Sequence, residues 1–436
     1  MRTELFSSAG IYAPTFLNIR IATNESLDNI FNLSPTASAA FIHEYVHFLQ
    51  DITTVYGLRN IIMVVDKMKT VNLAQRESGS KVMKIPYEFN DFKFITASYN
   101  SSFQKIVNGT FDDTPKASIH SIIKRTEKIE FQQEAEIEVI EVWLGANKLK
   151  FDFGSHAVLE SMAYLVEQSI YPSVIPEPTQ FCYHAASMIA ETIYPEFSEK
   201  RTNLIALCDA SLMFANPGLV FHRMLHSMRA ENFLPTTYME IYEFVFVREQ
   251  QSYAQLNYWD SILNNHTLTA ISQLNDYFTI EEFDENKEWI EFTLNNANKF
   301  RHANISFFTE LAEGGTLSAN RTFEKLFALV GMPITTNSEG QAWFATNVSN
   351  QEKVRPEILW AVNQIYNLYG NSKNSRSKRC WLENWCQKTC DEKNITDYTD
   401  QRCYDNPWDR HLDGKELCTF SQVWRSWGME SHIPTQ

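Results

Sequence analysis

Glycine and proline are scarce, at 14 each in 436 residues. So little of either excludes a collagen-like or low-complexity chain. With 44% hydrophobic and 13% aromatic residues, wholesale disorder is excluded as well. Positive charge is in deficit: 38 Lys+Arg stand against 53 Asp+Glu, a formal charge of −15. A sequence-independent nucleic-acid binder needs a basic stripe to displace counterions, so no nucleic-acid partner is expected. The same deficit argues against docking on anionic lipid. No run of 18 apolar residues occurs, so no membrane span is expected. Residues 1–20 lack an apolar core behind a basic start, so no secretory signal is expected. The seven cysteines are an odd number without framework spacing, and a cytoplasmic, reducing compartment is the simplest expectation.

What is present is organised by caps and turns. Residues 15–22 carry Phe16, Ile19 and Ile21 ahead of the polar run Thr23-Asn24-Glu25-Ser26, which predicts a strand and a turn. Ser34 and Pro35 predict a helix start, as N-cap and first helical residue. That helix should run through Ala37, Phe41, Val46 and Leu49 to a glycine stop near Gly57. Residues 68–134 are polar and mixed, and are expected to form an insertion or lid of short elements. Residues 137–153 predict a hairpin turning at Gly145-Ala146-Asn147, with Leu149, Phe151 and Phe153 on one face of its second arm. Gly154-Ser155 opens a helix, Asn216-Pro217 opens another, and helical periodicity dominates from about 180 to 370. The stretch 371–379 reads as a basic linker, and beyond it lie five of the seven cysteines and five of the ten tryptophans. The expected class is α+β and helix-dominated: a first unit over 1–250, a helical region over 251–370, and a linker with a Cys/Trp-rich module over 371–436.

The chemistry concentrates in five residues, His43-Glu44-Tyr45-Val46-His47. On a helix of 3.6 residues per turn, positions four apart sit one above the other, so both imidazoles can reach one metal. Glu44 lies about 100° round from His43 and can approach a metal-bound water without ligating. Zinc lowers the pKa of such a water to about 7, and a neighbouring glutamate can take its proton.

This H-E-x-x-H pattern resembles that of the zincin metallopeptidases. The metzincin branch would need glycine and histidine at positions 50 and 53; Gln50 and Thr53 exclude it. The chain is more similar to the gluzincin branch, which includes thermolysin and the aminopeptidase-type enzymes and takes its third ligand from a glutamate on a later helix. That resemblance implies Glu160, a charge inside the apolar run Ser155–Tyr164 that would be costly to bury unpaired. His156, one turn earlier, is the alternative ligand. Glu160 lies 113 positions after His47, so a large insertion separates the two, and Tyr164 stands where thermolysin-like enzymes carry an orienting aspartate. The resemblance covers about 15–60 and 135–170.

His222 and His226, four apart on the Asn216-Pro217 helix, are candidates to stabilise an oxyanion, with ordinary helix histidines as the plain alternative. Tyr183 and His184 are similar candidates. In the tail, Cys380, Cys386, Cys390, Cys403 and Cys418 contain no C-x-x-C. A second, structural ion on Cys386, Cys390, Cys403 and Cys418, with His411 as a further donor, is weighed against thiols buried beside tryptophans. The sequence thus leads to a zinc-dependent metallopeptidase. His43, His47 and Glu160 hold one catalytic Zn2+, Glu44 is the general base, and a protein or peptide is the substrate. An intracellular protease needs a narrow substrate range, and toxin-like or phage-defence-like roles follow by analogy alone. The rival reading is a non-catalytic scaffold of the same fold that binds a protein partner through its tail.

Overall fold

The structure, a computed structural model, describes residues 5–6, 9–87, 95–129, 135–251, 258–278, 281–370, 380, 382–387, 399–413 and 418–435. Its first sheet begins with β1 (Leu5–Phe6), β2 (Gly10–Ala13) and β3 (Asn18–Ile21). The expected strand over 15–22 starts only at Asn18, because Thr15 and Leu17 take positive φ angles of 73° and 46° in a turn from β2. Tyr12 pairs with Ile19 and Gly10 with Ile21, so strand alternation puts these four on one face.

That face meets α1 (Pro35–Thr53), where Ser34 accepts a hydrogen bond from the Ala37 amide and Pro35 opens the helix as expected. Every residue from Ala37 to Thr53 is buried. The helix stops at Thr54 rather than Gly57. Thr54 is extended, and its hydroxyl caps α2 (Val55–Glu77) by accepting from the Gly57 amide. Gly57 permits a close approach instead of a stop: a Cβ there would lie 2.4 Å from the carbonyl oxygens of Gln50 and Asp51.

Residues 68–134 are more regular than a polar lid. They contain the end of α2, β4 (Val82–Lys84), α3 (Ile95–Asn108) and β5 (Ile119–Ile129). β5 looks polar because one of its faces is exposed. It pairs antiparallel with β6 (Ala135–Leu144), which pairs with β7 (Leu149–Phe153) through the expected hairpin. Phe151 and Phe153 are buried, while Leu149 at the turn is exposed.

α4 (Ser155–Ile170) follows directly and packs against α1. The helical half comprises α5 (Ala185–Ile193), α6 (Pro195–Ser198), α7 (Arg201–Leu212), α8 (Pro217–Ala230), α9 (Tyr238–Gln251), α10 (Tyr258–Asn275), α11 (Asp284–Ala303), α12 (Phe307–Glu313) and α13 (Arg321–Val330). Asn216 caps α8 as expected. The chain then returns to the first sheet: β8 (Met332–Thr336) lies parallel to β3, and β9 (Ala342–Ala345) closes the order β1-β2-β3-β8-β9. α14 (Glu357–Gly370) follows. In the tail, the helix Thr419–Ser426 packs on α14, and β10 (Ile433–Thr435) pairs parallel with β4. One contiguous apolar core runs from Tyr12 to Met429. The linker 371–379 lies outside the described residues. Among those described, no helix is long and apolar enough to cross a membrane.

Candidate metal centre

α1 and α4 are both apolar helices that carry charged groups inward, and the charges face one another. His43 and His47 are 1% exposed, Glu44 and Glu160 not at all. Glu160 Oε2 lies 3.5 Å from His43 Nε2 and 3.6 Å from His47 Nε2. One donor atom from each of the three residues falls within 4.8 Å of the others, a spacing that could hold a metal ion. Neither imidazole Nε2 nor either Glu160 oxygen has a hydrogen-bond partner within the protein. Leaving buried polar atoms unpaired costs about 1–3 kcal/mol each, more for charged groups. Three residues that bring buried donor atoms together without hydrogen bonds of their own therefore fit a cation that satisfies them together. Burial alone would raise the Glu160 pKa, but His47 and His43 opposite hold it well below the usual carboxylate range.

The far side of each imidazole is fixed. His43 Nδ1 lies 2.9 Å from Glu167 Oε2, and His47 Nδ1 lies 2.8 Å from Gln50 Oε1. Gln50 is anchored in turn by its Nε2, which donates to the Leu159 carbonyl of α4 at 3.2 Å. An acceptor on Nδ1 leaves Nε2 as the lone-pair nitrogen directed at the cluster. Sequence reasoning missed both partners. The signals were present: Glu167 is seven residues past Glu160 on one face of α4, and Gln50 is three past His47.

Glu44 is buried against β2, where a Cβ on Gly10 would come within 2.6 Å of its Cγ and 2.7 Å of its Oε1. The absence of a side chain at position 10 makes the room for this carboxyl. His156 is not one of the gathered donors. It stacks on Phe111 with ring centroids 3.9 Å apart, and burial lowers its pKa to about 4. Tyr183 stands beside His43, with ring centroids 5.9 Å apart, and burial and then Glu160 push its hydroxyl pKa up. His184 turns to the Pro178 carbonyl, 2.9 Å from its Nε2. His222 and His226 are not brought to the cluster; their Nε2 atoms face each other at 3.2 Å on a partly exposed side of α8.

A cleft lined by His47 opens on that side of the cluster. Asp51, Tyr56, Phe111 and His156 are among its walls, so the segment after α3 does border it. In the tail, Cys380, Cys386, Cys403 and Cys418 are among the residues around a separate, very small cavity. No disulfide forms among the described cysteines, and no three of them come within metal-binding reach. Cys390 and the side chain of His411 lie outside the described residues. Comparison of the chain with known protein families, curated proteins and solved structures gives no match, so the geometry carries the reading of the site.

Proposed function

We propose that the protein is a zinc-dependent metallopeptidase of selective range, with His43, His47 and Glu160 as the metal ligands and Glu44 as general base. The observation that carries this reading is the convergence of one buried donor atom from each of His43, His47 and Glu160, none of them hydrogen-bonded within the protein, beside the buried Glu44. Two imidazoles and a carboxylate are a donor set that Zn2+ takes in catalytic sites; bound there, the ion polarises a carbonyl and brings a water's pKa near neutrality. Glu44 takes the proton of the attacking water and delivers it to the leaving amine. Its wall at Gly10 restricts where its carboxyl can go. Glu167 and Gln50 hold the imidazole rings in the ligating tautomer. Tyr183, whose ring lies beside His43, is the better candidate than His222 or His226 to donate to the oxyanion.

Two variants test this reading. Glu160→Ala removes an anionic ligand, so zinc content and activity should fall together. Glu44→Gln keeps every ligand, so zinc should stay while hydrolysis falls by about 10² to 10⁴. Zinc content by atomic absorption and peptide hydrolysis decide it. Full zinc in Glu160→Ala would displace that residue as a ligand, and full activity in Glu44→Gln would overturn the mechanism. A folded, zinc-loaded wild type that cuts no protein or peptide would favour the scaffold reading.

A further inference from the structure

α1 carries a third polar residue in register with its two histidines. His43, His47 and Asp51 are spaced four apart and rise along one face in steps of about 6 Å. Asp51 is 5% exposed, yet its carboxyl is only half committed. Its Oδ2 accepts from the Tyr12 hydroxyl at 2.9 Å and the Thr15 amide at 2.6 Å, and no described residue donates to Oδ1. Asp51 and His47 border the same cleft, whose lining contains this one carboxylate and no lysine or arginine. Tyr12, Tyr56 and Phe111 supply aromatic wall between them. A buried carboxylate with one unused oxygen, set among ring faces, is a receptor for a cation on an apolar stem.

We propose that this cleft is the side-chain pocket for a basic residue of the substrate, lysine or arginine, with Asp51 pairing its charged head. The inference rests on the peptidase reading above, since it places the substrate backbone at the His43–His47–Glu160 cluster. The one-turn separation of His47 and Asp51 matches the reach of a lysine or arginine stem laid along the helix. Tyr12 and Thr15 hold Asp51 in place before the substrate arrives, so little ordering is left for binding to supply. Burial raises the Asp51 pKa to about 7, against the lowering effect of these two donors and of His47. A cation in the pocket would hold the carboxyl ionised.

The test separates the pocket from the chemistry. Binding of capped Ala-Arg-Ala, Ala-Lys-Ala and Ala-norleucine-Ala peptides to the full-length zinc-loaded protein, read by calorimetry, needs no turnover. The two cationic peptides should bind about 30-fold or more tightly than the norleucine peptide. Asp51→Asn keeps an acceptor for Tyr12 and Thr15 and should erase that difference. Asn60→Lys leaves Asp51 unsubstituted, giving up only the Asn60 Nδ2 bond to Thr15 Oγ1, and sets a competing cation at the cleft wall; it should erase the difference too, which covers the case in which Asp51→Asn fails to fold. Equal affinity for the three peptides, or a preference surviving a folded variant, overturns the pocket whether or not peptides are cut. Cleavage sites in a peptide mixture, mapped by mass spectrometry, complete the test. Cuts beside lysine and arginine support the pocket; cuts without that preference overturn it and leave the peptidase standing. Asp51-dependent binding with no cuts supports the pocket as a ligand site and removes the peptidase.

Discussion

Replacing Glu167 with alanine should weaken metal binding without removing a ligand. The carboxylate sits 2.9 Å from His43 Nδ1, and both side chains are almost wholly buried. Without it, Nδ1 faces a cavity, the ring is free to turn, and Nε2 becomes a poorer donor. Such outer partners are worth about 10- to 100-fold in affinity, or about 1.4 to 2.7 kcal/mol. The structure allows an ordering as well. His47 leans on the neutral amide of Gln50, whereas His43 leans on a carboxylate, and hydrogen bonds to ionised acceptors are about twice as strong as neutral ones. Glu167→Ala should therefore approach the 100-fold end, and Glu167→Gln and Gln50→Ala should lie nearer 10-fold. Glu160→Ala should exceed them all. Zinc affinity measured by competition with a chromophoric chelator, with circular dichroism to verify the fold, reads the series directly. Wild-type affinity in folded Glu167→Ala would refute the claim that this carboxylate orients a ligand.

Three further outcomes are expected. Metal-stripped protein should be most stable over a middle pH range. His43 has its pKa raised, against the lowering effect of burial, by Glu160 and Glu167, so its contribution is complete below about 6.5 and is lost as pH rises through the folded value. Glu160 has its pKa lowered, so its contribution is present above about 4.5 and is lost as pH falls through its folded value; thermal melts across pH check both limbs. Gly10→Ala should leave zinc bound and cut hydrolysis by about 10²-fold by pushing on Glu44, and unchanged activity would show that the carboxyl can shift at no cost. Arg301→Met should destabilise the fold by about 3–5 kcal/mol in urea melts, because Arg301 donates at 2.8 Å to each oxygen of the fully buried Asp209 and its loss strands that charge.

Where local chemistry decides structure, the sequence was readable. Ser34-Pro35 and Asn216-Pro217 start helices because each supplies a cap and a preset φ, whatever surrounds them. The two histidines reach one point because helix pitch dictates it, and Glu160 stood out as a charge in an apolar run. What escaped depends on contacts between distant segments. Thr54 is an unremarkable residue until its hydroxyl caps α2 and lets the chain fold back tightly at Gly57. Glu167 and Gln50 acquire their roles only when α4 docks on α1. β5 was overlooked because a strand with one face in water carries charges like those of a loop. Asp51 could have been placed on the histidine face by counting fours, but its open oxygen depends on the turn after β2.

The two helices that meet at the cluster are joined by a long excursion of chain. His47 and Glu160 are 113 positions apart, and the intervening residues build α2, α3 and all three strands of the β5-β6-β7 sheet. Ligation at both ends, as proposed, would be a reversible staple across a loop of that size, a closure worth about 4 to 5 kcal/mol in a simple chain-entropy picture. His43, His47 and Glu160 are no more than 1% exposed, so an ion held by them would exchange slowly. If α4 must lift from α1 to release the ion, the rate at which a chelator strips the loaded protein would be a clock for that partial opening. A cell starved of the ion during synthesis would accumulate chains lacking their staple, and these would be the first to be degraded.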